Sequence, residues 1–417
     1  MSSVKQNGRA IVFSGELQGR DLTPAIASLH HAAKAPGRSD VVLDMSGVTR
    51  AYPDVMVPLI CDVKRHEARG VGFEVVQPDD SMARRFFDSA NYSALLTGEG
   101  EFNRRSTGHN LPAIPFRDED EQFEVVNLLA EWMLAVTVID GREDLQAFEW
   151  AVAETTDNVI THSEAPFGGL AQASYFPAAN SVQFVICDPG IGIPDSLRQN
   201  ATFRDLSDPD TLEHAIRESV TGKRATNQGN GLYGTYELAR VSRGRFTLRS
   251  GHATLYLDDK FEPVIREETV PFHGTLVVCS LSLGNENLIQ EALRIKGKAH
   301  EISYDFLDQK ADDDTGDIVL DLLAENTGFA SRRKALPLRN KVANYLRTTD
   351  RRVIVDFQGV SVVSSSFADE FIAKLVDEFG PMVFMSRVSI RNANATVASL
   401  IDRAMLLRLS GNGAASE

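Results

Sequence analysis

Cysteine is scarce in this chain, and long apolar runs are missing. The 417 residues include three cysteines, Cys61, Cys187 and Cys279, which lie far apart in apolar stretches. Neither a disulfide framework nor a zinc-binding spacing can be read from them, so a reducing cytoplasm is expected. No run approaches the roughly twenty apolar residues of a membrane-spanning helix. The opening MSSVKQNGR has no apolar segment that would act as a secretion signal.

Positive charge is also in short supply. The chain has 43 lysines and arginines against 58 aspartates and glutamates, a net charge of −15. A surface that follows nucleic-acid phosphates or anionic lipid needs an excess of basic residues. We therefore expect neither nucleic acid nor membrane among the partners. The length favours two or three domains in an otherwise ordinary globular composition.

A Walker P-loop is absent. Gly222-Lys223 is followed by Arg224 and lacks the upstream glycine that this phosphate-binding loop requires. A GxGxxG pattern is not identified either, so a dinucleotide-binding fold is not expected. A nucleotide site in this chain would have to be built from other elements.

Two parts of the chain repeat one pattern. The segment VVLDMSGVTRAYPDVMVPLICDV, from Val41, aligns without gaps to VIVDFQGVSVVSSSFADEFIAKL, from Val353, an offset of 312 residues. Each copy reads as an apolar strand ending in aspartate (Asp44 or Asp356), a turn and an amphipathic helix, which is a βα unit. Each is followed by another apolar run, GVGFEVVQP or GPMVFMS. Two small α/β domains are therefore expected to flank a middle segment.

Polar runs divide the chain into three segments. FRDEDEQ begins at Phe116, and the acidic run DQKADDDTGD surrounds residue 312. Clustered acids disfavour a packed core. The predicted domains are residues 1–112, 113–300 and 301–417, and the last residues, SGNGAASE, are expected to be disordered.

The middle segment begins with a helix. DLQAFEWAVAETTDNVITHSEA, from Asp144, has helical spacing. Glu154, Asn158 and His162 follow one another at intervals of four, so their side chains project along one side about a turn apart. The opposite face is apolar and carries Phe148, Val152 and Val159. LAQASYF and SVQFVICD then read as a hairpin of strands.

The rest of the middle segment alternates between polar and apolar stretches. A less regular, polar stretch runs from Asp195 to Gln228. GNGLYGTYELARV then reads as a glycine turn that opens a helix, and GRFTLRSG, ATLYL and HGTLVVCSL read as three further strands.

A carboxylate and two glycines end the strand SVQFVICD. Asp188 at a strand end can accept a hydrogen bond from an exocyclic amine, such as that of adenine, and Gly190 and Gly192 let backbone approach a flat ring. The second glycine turn, at Gly229 and Gly231, offers free N–H groups to phosphate at a helix N-terminus. Asn158 and Glu154 supply the oxygen donors that magnesium prefers. Together these residues predict a nucleotide pocket.

Three motifs in this order, E-x-x-D-N, D-P-G-I-G-I and G-N-G-L, resemble the signature boxes of the GHKL ATPase superfamily. This superfamily includes gyrase, the heat-shock chaperone, histidine kinases and mismatch-repair ATPases. The resemblance covers roughly residues 118–284. It implies an α/β fold with a central GHKL (Bergerat-type) α/β sandwich. The expected ligands are ATP and Mg²⁺.

The resemblance also implies roles for single residues. Asn158 would hold Mg²⁺, Glu154 would act on the attacking hydroxyl or water, and Asp188 would bind the adenine amine. Lys223, with Arg224, would reach the γ-phosphate from a mobile lid, although both are equally readable as solvated loop charges. The other implied nucleotide contacts are glycines and their neighbours: Gly190, Gly192, Ile193, Gly229, Gly231, Leu232 and Thr275. One departure is Tyr233, where a histidine kinase carries a third glycine.

No histidine of the chain matches a phosphoacceptor. None of the nine histidines lies in the H-E-x-R-T-P-like box in which histidine kinases carry theirs. His162 is read as a histidine at a helix end. A histidine-phosphorylating activity is therefore not expected.

The flanking segments resemble STAS domains, the fold of sulfate transporters and anti-sigma-factor antagonists. In phosphorylated members a serine begins the helix after the turn. The C-terminal copy has Ser364, Ser365 and Ser366 there, whereas the N-terminal copy has Tyr52-Pro53-Asp54. The triple serine is also readable as an ordinary helix cap, which we favour slightly.

Three functions follow as alternatives. The first is a cytosolic ATP-binding signalling protein that phosphorylates a serine of a STAS module, in cis or on a partner, as in anti-sigma-type partner switching. The second is a GHKL ATPase that uses hydrolysis as a conformational switch. The third is a non-catalytic nucleotide-sensing scaffold. The implied partners are ATP, a STAS-domain or sigma/anti-sigma-like protein, and a second copy in a homodimer.

Overall fold

A computed structural model of the chain describes residues 2–34, 40–139, 141–217, 231–295, 298–299, 306–312, 314–325 and 328–411. The chain divides into two compact units. Unit 1 comprises Met1–Leu129, Trp150–Leu283 and Asn287–Glu301, and unit 2 comprises Ala130–Glu149, Gly284–Glu286 and Ile302–Glu417. Both units combine helices with sheets, so the protein is of the α/β class, as the sequence predicts.

The N-terminal module of unit 1 is a four-stranded sheet with helices. Its strands lie in the order β1-β2-β3-β4, with the first pair antiparallel and the other two pairs parallel. Its elements are β1 (Ser3–Asn7), β2 (Ala10–Leu17), α1 (Leu22–Lys34), β3 (Val41–Ala51), α2 (Pro53–Glu67), β4 (Phe73–Val76), α3 (Ser81–Ser89) and α4 (Tyr92–Thr97).

A five-stranded antiparallel sheet follows, in the order β5-β6-β7-β9-β8. Its elements and the helices between them are β5 (Asn110–Phe116), α5 (Glu119–Val136), α6 (Arg142–His162), β6 (Gly169–Phe176), β7 (Ser181–Asp188), α7 (Gly192–Arg198), α8 (Asp208–Ala215), α9 (Gly231–Val241), β8 (Arg245–Leu257), β9 (Pro263–Ser282), α10 (Leu288–Ala292), β10 (Arg294–Ile295) and β11 (Lys298–Ala299). Strand β5 runs through the predicted boundary at residue 112, and the division into three domains stays a prediction.

Two local predictions for this sheet are wrong. GRFTLRSG and ATLYL are not two strands but one, β8, because its pairing with β9 is only interrupted near Gly251, at φ +56°. The stretch from Asp195 is more regular than expected, since it includes α8. The side chain of Ser207 caps α8 by accepting a hydrogen bond from the N–H of Asp210, which the composition of the stretch concealed.

One face of the five-stranded sheet packs against the N-terminal module within unit 1. Val185 and Cys187 of β7 belong to one apolar core with residues of α1 and α2, so the N-terminal module covers this face. The intervening Phe184 and Ile186 are also buried. Because both alternating sets of β7 are buried, the strand reads as a continuous apolar run up to Asp188.

Unit 2 contains a three-stranded parallel sheet, in the order β12-β13-β14. Its elements are α11 (Phe306–Gln309), β12 (Ile318–Asp321), α12 (Leu322–Glu325), α13 (Arg332–Thr348), β13 (Val353–Asp356), α14 (Ser365–Ala368), α15 (Lys374–Phe379), α16 (Pro381–Arg387), β14 (Val388–Arg391) and α17 (Ala395–Gly411), with a π-helical turn at Asp369–Ala373. Asn344 of α13 donates to the carbonyls of Leu134 and Thr137, which satisfies the end of α5.

The internal repeat is visible in the fold. Strands β3 and β13 begin at Val41 and Val353, and helices α2 and α14 begin at Pro53 and Ser365, so both pairs keep the 312-residue offset. The copies differ after the helix. GVGFEVVQP contains β4, but GPMVFMS forms α16, because Pro381 opens a helix directly after Gly380.

Candidate functional site

Asp188 ends the central strand of the five-stranded sheet as a buried carboxylate. It pairs with Thr275 of the neighbouring strand β9, and its side chain is hidden from solvent. The N–H of Gly190 donates a 2.8 Å hydrogen bond to Oδ1. Burial raises the pKa of Asp188 to about 7, although hydrogen bonds from Gly190 and Thr275 act in the opposite direction. The strand therefore ends in an acceptor that is sensitive to protonation near neutral pH.

The turn after Asp188 packs against the end of α6. The N–H of Ile191 donates to the carbonyl of Ser163, with a separation of 2.8 Å. A side chain at Gly190 would collide with the same carbonyl. Gly190 is thus required by internal packing, whether or not a ring approaches it.

Gly192 connects this turn to strands β8 and β9. Its φ of +79° is rarely adopted by residues with a side chain, and a Cβ there would lie 2.6 Å from the hydroxyl of Ser250. That hydroxyl accepts from the N–H of Ile193 at 2.9 Å and donates to the carbonyl of Gly274 at 2.7 Å. The predicted purine-shaping residues therefore form one hydrogen-bonded turn.

Helix α6 carries the predicted catalytic and metal-binding residues. Glu154 and Asn158 are both half-buried, and His162 is the last residue of the helix, as predicted. Burial, followed in weight by the charge of Asp157, raises the pKa of Glu154 to about 7. A carboxylate with such a pKa accepts and releases protons near neutral pH, which suits a general base.

The third motif meets the first where α9 begins. A Cβ on Gly231 would collide with the carboxylate of Glu154, and one on Gly234 would collide with the indole ring of Trp150. The two glycines are three residues apart on α9, and their neighbours are four apart on α6, so both pairs lie along the helix contact. Leu232 is half-buried beside them.

The expected absence of a GxGxxG pattern is wrong. GNGLYG, residues 229–234, has the spacing GxGxxG of a dinucleotide fold. That fold requires a parallel sheet, whereas the five strands here are antiparallel, so the pattern does not mark a dinucleotide fold in this sheet. The glycine that α9 needs is Gly234, one position after the place at which Tyr233 departs from the GHKL pattern.

Helix α6 therefore contacts both other motifs. Glu154 lies against Gly231, and Ser163, directly after the helix, binds the turn at Gly190. Thr275 lies beside Asp188. The predicted phosphate ligands Lys223 and Gly229 lie outside the described residues, as does Arg224.

Several residues that support the glycine turn and strand β7 cannot be identified from sequence patterns. Ser163 and Ser250 hold the glycine turn, and the Sγ of Cys61 donates to the carbonyl of Cys187 at 3.4 Å. The two cysteines are free thiols, in line with the predicted lack of a disulfide framework. No spacing rule identifies such pairs, because the partners come from elements that are distant in sequence.

The C-terminal serines begin α14. The Oγ of Ser364 accepts from the N–H of Phe367 at 3.0 Å, which is the predicted helix cap. Ser366 is half-buried and lies 3.0 Å from Ser364, measured between the two Oγ atoms. Ser365, the first residue of the helix, is exposed. Of the three hydroxyls, that of Ser365 is the most accessible.

The N-terminal copy has a different chemistry at this position. Tyr52 donates its hydroxyl hydrogen to Glu16 at 2.8 Å, and Pro53 is the first residue of α2. Asp54 is largely buried, which raises the pKa of its carboxyl. No serine is available here, as predicted.

Comparison with known families supports the predicted STAS-like domain in the C-terminal part of the chain. Residues 335–398 match the family described as a STAS-like domain of unknown function (DUF4325). The matched part runs from α13 into α17 and includes the triple serine. A comparison with curated proteins finds no match. Among the described residues, no helix has the length and apolar character needed to cross a membrane.

Proposed function

We propose that the chain is an ATP-binding signalling protein whose central segment is a GHKL-type nucleotide site. The supporting observation is the position of α6, which places Glu154 against the start of α9 and Ser163 against the turn after Asp188. In this way all three motifs contribute to one region of unit 1. The antiparallel sheet with helices agrees with the proposed sandwich.

In this proposal Asp188 recognises the adenine ring of the nucleotide. Its buried carboxylate accepts a hydrogen bond from the adenine amine, assisted by Thr275 on β9. A base that lacks the amine makes one hydrogen bond fewer to this carboxylate, and a hydrogen bond to a charged group contributes about 1.5–3 kcal/mol. The turn formed by Gly190, Gly192 and Ile193 borders the purine.

The phosphates lie at the start of α9. Gly229, Gly231 and Leu232 are the proposed phosphate ligands, and the N–H groups at a helix N-terminus favour negative charge. By the GHKL resemblance, Lys223 is the proposed ligand of the γ-phosphate. Asn158 has a half-buried amide oxygen one turn after Glu154, a donor that fits Mg²⁺. The metal neutralises charge on the triphosphate when bound.

Glu154 is the proposed catalytic base. It takes the proton from a serine hydroxyl, the Oγ attacks the γ-phosphorus, and the bond to the β–γ bridging oxygen breaks to release ADP. The proposed acceptor is Ser365, because Ser364 already caps α14 and Ser366 is half-buried. The acceptor chain is either this one or a partner that carries a STAS or sigma/anti-sigma-like module. A homodimer, a cytoplasmic location and the absence of nucleic acid are further parts of the proposal.

The test is incubation with γ-labelled ATP and Mg²⁺, followed by intact-mass analysis and mapping of the phosphosite. The proposal expects one added phosphoryl group on Ser365, which is lost in Ser365→Ala and kept in Ser361→Ala. Ser361 is the matched control because it is also an exposed serine of the same domain. ATP turnover without label on the chain or on an added STAS-domain protein would contradict the kinase role.

A second candidate is ATP hydrolysis as a conformational switch, with water as acceptor. The capping role of Ser364 favours it, because this role explains a serine at the helix start without phosphorylation. Glu154 then activates water. Phosphate release that persists in Ser365→Ala distinguishes this function, and ATP binding with no turnover at all would indicate a sensor.

A further inference from the structure

Three metal-ligating side chains meet where the N-terminal module packs in unit 1. His30 lies on α1, and Asp62 and His66 lie one turn apart on α2. One ligand atom from each residue lies within 4.8 Å of the others. Two nitrogens and a carboxylate oxygen at this separation form a donor set typical of zinc.

Two of these side chains have a buried ligand atom that makes no hydrogen bond. Asp62 is fully buried, and its Oδ2 has no hydrogen-bond partner. His66 is 7% exposed, and its Nε2 also has none. A buried polar atom without a partner costs about 1–3 kcal/mol. The two atoms lie 3.9 Å apart, so a single cation between them would satisfy both.

The third ligand faces the same carboxylate. Nε2 of His30 lies 3.4 Å from Oδ1 and 3.3 Å from Oδ2 of Asp62. Its side chain is 14% exposed, which leaves a route for an ion from solvent. All three donors therefore converge on one point between α1 and α2.

Charged and titratable side chains surround this point. Arg65 of α2 lies 3.7 Å from Oδ1 of Asp62, and Arg69 follows the same helix. The ring of His273, from β9, lies 5.3 Å from that of His30.

We propose that His30, Asp62 and His66 bind one Zn²⁺ ion, with a water molecule or His273 as the fourth ligand. The ion joins α1 to α2. Cys61, which precedes Asp62, contacts the carbonyl of Cys187, directly before Asp188. The metal thus stabilises the helix that supports the strand of the nucleotide site. This proposal does not depend on ATP binding.

The test uses the full chain, stripped of metal by a chelator and titrated with ZnCl₂ alone. The expected stoichiometry is one ion per chain, and Co²⁺ in its place should give the visible absorption of a tetrahedral site. His30→Gln and Asp62→Asn should weaken zinc affinity about 100-fold or more, since even second-shell changes cost 10–100-fold. The control is His31→Gln, because His31 is exposed and bonds to Gln6 instead.

Thermal unfolding gives a second readout. Zn²⁺ should raise the melting temperature of the wild type and of His31→Gln but not that of His30→Gln, since a ligand stabilises only the state that binds it. His30 is the partly exposed ligand, so its variant is the one expected to fold. No saturable zinc binding by the wild type, or equal binding by both histidine variants, would overturn the proposal.

Discussion

The carboxylate of Glu154 lies directly against Gly231, the residue at which α9 begins. A helix N-terminus carries partial positive charge and unsatisfied N–H groups, whereas a carboxylate is negative. Glu154 is thus placed beside the group that is proposed to hold phosphate. Its raised pKa allows it to be neutral or charged there near pH 7.

Replacing Glu154 tests the proposed base. Glu154→Gln should lower turnover or phosphoryl transfer by roughly 10²–10⁴ and leave ATP affinity nearly unchanged, because only proton transfer is lost. The wild-type rate should rise as the pH increases through about 7, where the base loses its proton. Steady-state assays from pH 5.5 to 8.5 measure both effects. The control is Glu74→Gln on β4, an exposed glutamate. If Glu154→Gln were as active as Glu74→Gln, Glu154 would be ruled out as the catalytic base.

Protonation of Asp188 should make stability depend on pH. Its folded pKa of about 7 exceeds the unfolded value of 3.8, so the folded state binds the proton more tightly. The resulting stability is fully present below about pH 4 and is lost as the pH rises through 7. Asp188→Asn removes this contribution, which is of the order of 4 kcal/mol at most for a pKa that moves from 3.8 to about 7.

Urea unfolding at pH 5 and pH 8 gives the free energy of unfolding of the wild type and of Asp188→Asn. Relative to the wild type, the variant should be more stable at pH 8 than it is at pH 5. Asp259→Asn, an exposed aspartate in the turn between β8 and β9, should show the wild-type pH dependence. A difference that is equal at both pH values would contradict the shifted pKa.

Gly234 tests the contact of α9 with α6. Gly234→Ala should destabilise unit 1 by about 1–3 kcal/mol, because a Cβ there collides with the indole of Trp150. On an open helix surface the same change would stabilise by about 1 kcal/mol. Gly141→Ala is the control, since no atom lies within 4 Å of its added Cβ. Chemical denaturation compares the two, and a stabilised Gly234→Ala would disprove the close contact.

Substitutions of the serines at the start of α14 should distinguish helix capping from phosphorylation. Ser364→Ala should lower the free energy of unfolding by about 1 kcal/mol, because the helix loses its cap. Ser365→Ala should change stability little and should abolish labelling. Denaturation and phosphosite mapping of the two variants make the comparison. Labelling that survives in Ser365→Ala but not in Ser364→Ala would reverse the assignment.

Local patterns carried much of the fold. The helix around Glu154, the hairpin β6–β7 and the 312-residue repeat each depend on periodicity or spacing, which are properties of neighbouring residues. The bulge at Gly251 and the cap at Ser207 were missed, since each requires knowing which strand or N–H lies opposite. Covering of the sheet by α1 and α2 is a long-range packing event that no local pattern records.

For the candidate site, the sequence indicates which residues take part but not which residues surround them. Asp188 and Glu154 were chosen for their motifs, and their raised pKa values follow from burial that only the fold reveals. The sequence predicts that the motif glycines bind the ligand, yet Gly190 and Gly231 have packing partners within the protein. The cluster of His30, Asp62 and His66 joins two helices, so its spacing in the sequence gave no signal.

Calorimetric titration of the full chain with ATP, in the presence and absence of Mg²⁺, tests the central claim most directly. The proposal predicts saturable binding of one ATP per chain that is tighter with Mg²⁺ and is abolished by Asp188→Asn but not by Asp259→Asn. No heat of binding to the wild type, or equal binding by the two variants, would contradict a nucleotide site at the end of β7.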